Sequence, residues 1–230
     1  GDDFIVAFDK VSGKEIWRTP RSEETTWATP VIAESGGRTE VITVSPKDII
    51  SYDLKDGKQL WKGPGLTANV IPTPIVGNGV LYAISGFRGY MLMAIKLGHQ
   101  GDVTGTDAIL WKYTKNTPYV PSPMLYENRL YFLSGNNGMV SVLDKATGKP
   151  LVDAERIEAL PGVYASPVAA NGRIYLTGRN GTVVVLKSSE KLEILATNKL
   201  DENFEASPAV AGGEIILRGH EYLYSIANPR

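Results

Sequence analysis

One short signature dominates this chain: a small residue or proline, then Ser or Thr, then Pro. It occurs as Ala28-Thr29-Pro30, Pro72-Thr73-Pro74, Pro121-Ser122-Pro123, Ala165-Ser166-Pro167 and Ala206-Ser207-Pro208. Successive prolines are 44, 49, 44 and 41 residues apart. Self-similarity at such a period is the mark of a repeat architecture, in which each copy is one small supersecondary unit that must stack on its neighbours to bury its apolar faces.

The content of one period specifies the unit. After the signature comes a short apolar run, a small or polar turn, and a second apolar run, as in Pro74-Ile75-Val76-Gly77-Asn78-Gly79-Val80-Leu81-Tyr82. Two β-rich runs flanking Asn-Gly predict a hairpin. A further turn leads to a third strand such as Met139-Val140-Ser141-Val142-Leu143. That strand runs into a second signature. Asp9, Gly13 and Trp17 recur at the same spacing as Asp53, Gly57 and Trp61, and Asp144 and Gly148 repeat it without the tryptophan. Residues 187–195 hold a more degenerate copy. The aspartate can accept bonds from N–H groups of its own turn, and the glycine suits the left-handed position of a tight hairpin. Trp17, Trp61 and Trp111 then fall on a fourth strand, where a large side chain can fill the space between neighbouring sheets.

Four antiparallel strands in about 44 residues describe a β-propeller blade. The expected fold is all-β, one propeller domain over 1–230. It comprises a partial blade at 1–20 and blades at about 26–62, 70–113, 119–153, 163–197 and 204–230. Proline has no N–H to give a ladder, so the Ser/Thr-Pro signature is expected on the innermost, edge strand of each blade.

Composition narrows function by exclusion. Lys and Arg total 24 against 25 Asp and Glu, a net charge of −1, so no basic surface points to nucleic acid or anionic lipid. No apolar run reaches the roughly 18 residues of a membrane-spanning helix. There is no cysteine, which removes disulfides, thiolate metal sites and thiol catalysis.

The motif Ala7-Phe8-Asp9 with Gly13-Lys14 and Trp17, and its copy from Tyr52-Asp53 through Gly57-Lys58 to Trp61, resembles the PQQ-like β-propeller repeat. This is the repeat of quinoprotein alcohol dehydrogenases and of the propeller lipoprotein of the outer-membrane protein assembly machinery. The segments Leu97-Gly98-His99-Gln100-Gly101-Asp102-Val103-Thr104-Gly105-Thr106 and Tyr119-Val120-Pro121-Ser122-Pro123 are similar to bacterial exported "PQQ-binding-like β-propeller repeat" proteins. The resemblance implies a periplasmic or otherwise exported protein; the opening Gly1-Asp2-Asp3-Phe4-Ile5-Val6 carries no leader core of its own. It also implies propellers of about eight blades. The chain opens in a third strand (4–8) and ends after another (223–226), about 5.2 periods that do not close neatly. The expectation is therefore an arc of about five blades whose unfinished ends allow self-association.

Two functional classes stay open. One is a non-enzymatic scaffold binding a protein or small ligand on its loop face. There Trp27, Tyr119, Tyr164 and Phe204 precede the inner strands. Phe87, Arg88, Asn136, Asn137, Arg179 and His220 occupy the turns between strands two and three. Aromatics, Arg and amides are enriched at recognition surfaces. The other class is a PQQ- and Ca-dependent oxidoreductase, or a fragment of one. In the enzymes it resembles, the quinone stacks on a tryptophan, for which Trp27 is the candidate, Ca²⁺ is held by acidic and amide groups, and a cysteine pair, missing here, covers the ring. The Ca candidate is the inserted Gly-rich loop with Asp102 and Asp107, read first as a self-bonded turn. His99 and His220 are isolated, Glu23-Glu24 and Asp201-Glu202 read as solvated loop acids, and no hydrolase motif is present. No catalytic or metal-ligating set is assigned.

Overall fold

The computed structural model describes residues 3–227, which form strands and turns and no helix. Residues 1–2 of the expected partial blade and 228–230 of the expected last blade lie outside these. The chain divides into two compact units, Gly1–Thr114 and Lys115–Arg230.

The first unit opens with an antiparallel hairpin, β1 (Asp3–Phe8) and β2 (Glu15–Arg21). A meander follows: β3 (Val31–Ser35), β4 (Arg38–Val44), β5 (Asp48–Asp53) and β6 (Gln59–Pro64). The next blade holds β7 (Ile75–Gly77), β8 (Val80–Ser85) and β9 (Met91–Lys96). It is completed, after a short β10 (Gly101–Asp102), by β11 (Ile109–Tyr113). The second unit holds two four-stranded meanders: β12 (Met124–Tyr126), β13 (Arg129–Leu133), β14 (Met139–Asp144), β15 (Pro150–Arg156), then β16 (Val168–Ala170), β17 (Arg173–Thr177), β18 (Thr182–Lys187), β19 (Ile194–Lys199). A three-stranded sheet of β20 (Ala209–Ala211), β21 (Glu214–Arg218) and β22 (Leu223–Ile226) ends the described chain. These meanders are the blades of a β-propeller protein, as the repeat predicts.

Strand position decides composition. The middle strands are covered on both faces, so they read as unbroken apolar runs: Leu81-Tyr82-Ala83-Ile84 and Leu92-Met93-Ala94-Ile95 are all buried. The core of the first unit gathers Ile42, Val44, Ile49, Trp61, Leu81, Met93 and Ile95. That of the second gathers Leu133, Val140, Val142, Leu160, Leu176 and Val184. The first hairpin of each blade turns on two residues; at Asn78-Gly79 both φ are positive, 53° and 73°, the geometry that matches strand twist. The Ser/Thr-Pro signature proves to lie just before the first strand rather than on it: Pro30, Pro74, Pro123, Pro167 and Pro208 each immediately precede that strand. Its hydroxyl has a use. Ser122 N–H donates to Ser166 Oγ and Ser166 N–H to Ser207 Oγ, each at 2.9 Å, so the signature ties the first-strand edges of three successive blades.

The second signature is equally specific. Asp9 Oδ1 accepts from Ser12 Oγ–H and N–H, both at 2.7 Å, and Asp144 Oδ1 accepts from Thr147 Oγ–H at 2.6 Å and from its N–H at 2.8 Å. These donors hold both carboxyls below their ordinary value. Trp17 reaches across to the next copy of its own motif. Its indole N–H donates to Leu54 O at 2.8 Å, and its ring lies on Gly57. Trp61 behaves differently: it is buried within its blade and donates to Glu40 Oε2 at 2.7 Å. The inserted loop between β9 and β11 accounts for this. It turns back to the preceding blade, where β10 pairs in parallel with β6 as a fifth strand and Val103 packs against Gly63.

Candidate functional site

The segments that join blades run along the turns between second and third strands, and hydrogen bonds lock the two together. Trp27 N–H donates to Val70 O of the next connector at 2.7 Å, and Thr67 N–H donates to Ser85 Oγ, at the end of β8 where the turn begins, at 2.9 Å. In the second unit Tyr119 N–H donates to Gly135 O and Arg179 N–H to Gly162 O. The connector-and-turn face is therefore a firm platform, and the phase of each connector decides which side chains it offers.

Extended backbone alternates sides, so one residue of offset reverses a side chain. Four residues before the repeat proline, Val70, Val163 and Phe204 are fully buried. Three residues before it, Trp27 is 67% exposed, Tyr164 is half-buried and Glu205 is exposed. Phe204 is thus not on the face with Trp27: it fills the core between Val183 and Leu217, edge-on to Tyr224. Tyr119, also four before its proline, is half-buried.

In the first unit the segment 67–70 carries an open patch. Asn69 Oδ1 accepts the Trp27 indole N–H at 2.8 Å, which fixes the ring while leaving it exposed. On the other side the turn Phe87-Arg88-Gly89-Tyr90 comes so close that a Cβ on Gly89 would lie 3.0 Å from Thr67 Cγ2. The Arg88 guanidinium stands 5.3 Å over the Phe87 ring, and Arg88 and Tyr90 are exposed. Tyr90 is a member of this patch that sequence reasoning missed, although an aromatic in the same turn as Phe87 was the available signal.

In the second unit the candidate polar groups are already engaged. The Arg179 guanidinium lies 4.4 Å over the Tyr164 ring, and its Nε donates to Glu205 Oε1 at 3.0 Å. Asn136 Oδ1 accepts from Val120 N–H, and Asn137 Oδ1 from Met139 N–H. His220 is exposed beside a surface cavity of about 490 Å³ lined also by Lys199, Asp201, Glu202 and Glu221. There the Glu202 carboxylate is no free acid. It accepts N–H bonds from Asn203, Glu221 and Tyr222, which hold it below its ordinary value.

The loop of Asp102 and Asp107 serves as the fifth-strand strap. Asp102 accepts from Thr104 N–H at 2.9 Å and pairs with Lys62 at 3.4 Å; the Thr104 bonds, with Lys62 assisting, keep its carboxyl low. An ammonium at that carboxylate opposes a bound cation. Near Trp27, Glu23 accepts from Ser45 Oγ. Among the described residues no three His, Asp or Glu side chains lie close enough to hold a metal ion.

Blades, repeat signatures and tryptophan seats together define a PQQ-like β-propeller repeat protein. A family model described as outer membrane protein assembly factor BamB matches residues 1–155 and again 136–228, and the chain belongs to that family. No curated protein sequence matches it. Among solved structures it resembles the computationally designed Ika8 protein, with TM-score 0.68 and 12% identity. That match covers 97% of this chain and 65% of the designed one, so the chain spans less than two thirds of its length. BamB from Moraxella catarrhalis matches with TM-score 0.49 and 13% identity, over 96% of this chain and 77% of that one. No helix of the described residues is long and apolar enough to cross a membrane.

Proposed function

We propose that this chain is a non-enzymatic β-propeller scaffold, acting outside the cytoplasm, that holds a protein partner on its connector-and-turn face. The observation that carries this is the patch around segment 67–70: Trp27, 67% exposed yet pinned by Asn69, with Phe87, Arg88 and Tyr90 on the other side. Amphipathic aromatics and arginine on rigid backbone are what interface hot spots are made of, because little side-chain entropy is lost on binding. A ring this open suits a broad protein surface better than a small molecule, which needs a concave, mostly apolar pocket. Membership of a family described as an assembly factor supports a protein partner and an exported location.

The test compares immobilised wild-type chain with Trp27→Ala, Arg88→Ala and Val11→Ser, against a cell-envelope extract. Val11 is 88% exposed in the turn between β1 and β2 and serves as the control. The expected result is a partner held by wild type and Val11→Ser but weakened about 30-fold by Trp27→Ala, the size of a ~2 kcal/mol hot spot. A partner retained equally by all four proteins overturns the assignment.

A further inference from the structure

The chain contains four Asn-Gly pairs: Asn78-Gly79, Asn137-Gly138, Asn171-Gly172 and Asn180-Gly181. In such pairs the glycine amide nitrogen can attack the asparagine side-chain carbonyl, provided the two can be brought into line. The fold treats the four very differently.

Two pairs are locked. Asn137 Oδ1 accepts from Met139 N–H, and a Cβ on Gly138 would collide with the Leu160 and Ile157 carbonyls. Asn180 Nδ2 donates to Ala159 O, and Gly181 is boxed in by the backbone of Leu200 and Glu202. The third pair is held at its nucleophile: Gly172 N–H donates to the Tyr126 hydroxyl at 2.9 Å. The fourth is free. Neither the Asn78 carboxamide nor the Gly79 N–H has a hydrogen-bond partner among the described residues. Both residues are exposed, and the space around Gly79 is open to 4 Å.

We infer that Asn78 is the deamidation site of this protein. Gly79 N bonds to Asn78 Cγ, the Cγ–Nδ2 bond breaks, and ammonia leaves with the amide proton, closing a cyclic imide. Water then opens the ring at either carbonyl, giving aspartate or its β-linked isomer. The change puts a carboxylate where a neutral amide stood. The isomer also adds a backbone carbon to a two-residue turn that sets the pairing Gly77↔Val80, Val76↔Leu81 and Ile75↔Tyr82. A hairpin register fixed by its turn cannot absorb that carbon without shifting the β7 edge of the blade.

The experiment is peptide mapping by mass spectrometry of the full chain aged in mildly alkaline buffer, with the two products separated. In native protein Asn78 converts about tenfold faster than Asn171, the ratio set by one hydrogen bond at the nucleophile, while Asn137 and Asn180 stay intact. In denaturant the four rates converge. Tyr126→Phe, which frees Gly172 N–H, raises the Asn171 rate and leaves that of Asn78 unchanged. Native conversion led by any other pair overturns the inference, as does a Tyr126→Phe protein with no faster change at Asn171.

Discussion

Substituting Gly57 by alanine separates two costs that usually come together. Gly13 and Gly57 occupy the same place in two copies of one motif, with φ of +70° and +72°. Alanine at either costs about 1–2 kcal/mol for the left-handed backbone. At Gly13 that is the whole cost, because nothing lies within 4 Å of the new Cβ. At Gly57 the Cβ would stand 2.6 Å from Trp17 Cδ2 and 2.7 Å from Thr19 Oγ1. The indole must lift away, and two bonds go with it: Trp17 Nε1 to Leu54 O at 2.8 Å and Thr19 Oγ1 to Gly57 O at 2.7 Å. At about 1 kcal/mol each, plus the packing given up beneath a half-buried ring, Gly57→Ala should cost ~2–3 kcal/mol more than Gly13→Ala. Hydrogen exchange of the β1–β2 amides reads this directly, since undocking the hairpin is a local opening. In a Trp17→Ala, Thr19→Ala background the excess should vanish. Equal costs for Gly13→Ala and Gly57→Ala in the otherwise unaltered chain would refute the docking of one repeat's tryptophan on the next repeat's glycine.

Two further outcomes follow from buried and turn carboxylates. Glu40, 1% exposed, accepts from both the Trp61 indole and the Ser51 hydroxyl, so Glu40→Leu strands two buried donors and should cost roughly 2–6 kcal/mol in urea unfolding. Glu40→Gln keeps an acceptor and should cost about 1 kcal/mol; equal costs would sink the assignment. Asp9, Asp144 and Glu202 are held below their ordinary values of 3.8 for Asp and 4.5 for Glu. The native state therefore binds fewer protons than the unfolded one at low pH. The stability these groups add is complete above the ordinary values and is lost as pH falls through the lower folded-state values. Melting temperature measured against pH should change little through these groups from neutrality to about pH 5 and fall below about pH 4, less steeply in Asp144→Asn. A fall confined to the range above pH 5 would point to other groups.

The blades were legible because their signals are local. The hairpin at Asn78-Gly79, the aspartate-capped turns and the unbroken apolar middle strands each follow from a few adjacent residues. What escaped depends on where copies of the repeat meet. Nothing in Arg38-Thr39-Glu40-Val41 marks Glu40 as buried; its burial follows from Trp61 being turned inward under the strap of residues 97–108. That strap reads as a polar loop, yet its Leu97, Val103 and Ala108 are all buried in the core of the first unit. Phe204 is a different case. Counting back from each proline places it in phase with Val163 and Val70 rather than with Trp27, so the alternation that buries it was available from spacing.

The same reasoning changes what a list of surface residue types means. Arg179, Asn136 and Asn137 have the composition of a recognition site, yet the Arg179 guanidinium and the two asparagine Oδ1 atoms are engaged inside the second unit, with Glu205, Val120 and Met139. Recruiting them to a partner would first break those bonds, so their net contribution would be small. Trp27 is held the opposite way. Its one polar atom is satisfied by Asn69, and what stays exposed is the apolar ring, which gains from any cover. On the proposed function, a platform whose hydrogen bonds are satisfied internally and whose aromatic surface is not would bind its partner through shape and apolar contact at Trp27, and the arginine at position 88 would contribute orientation rather than most of the affinity.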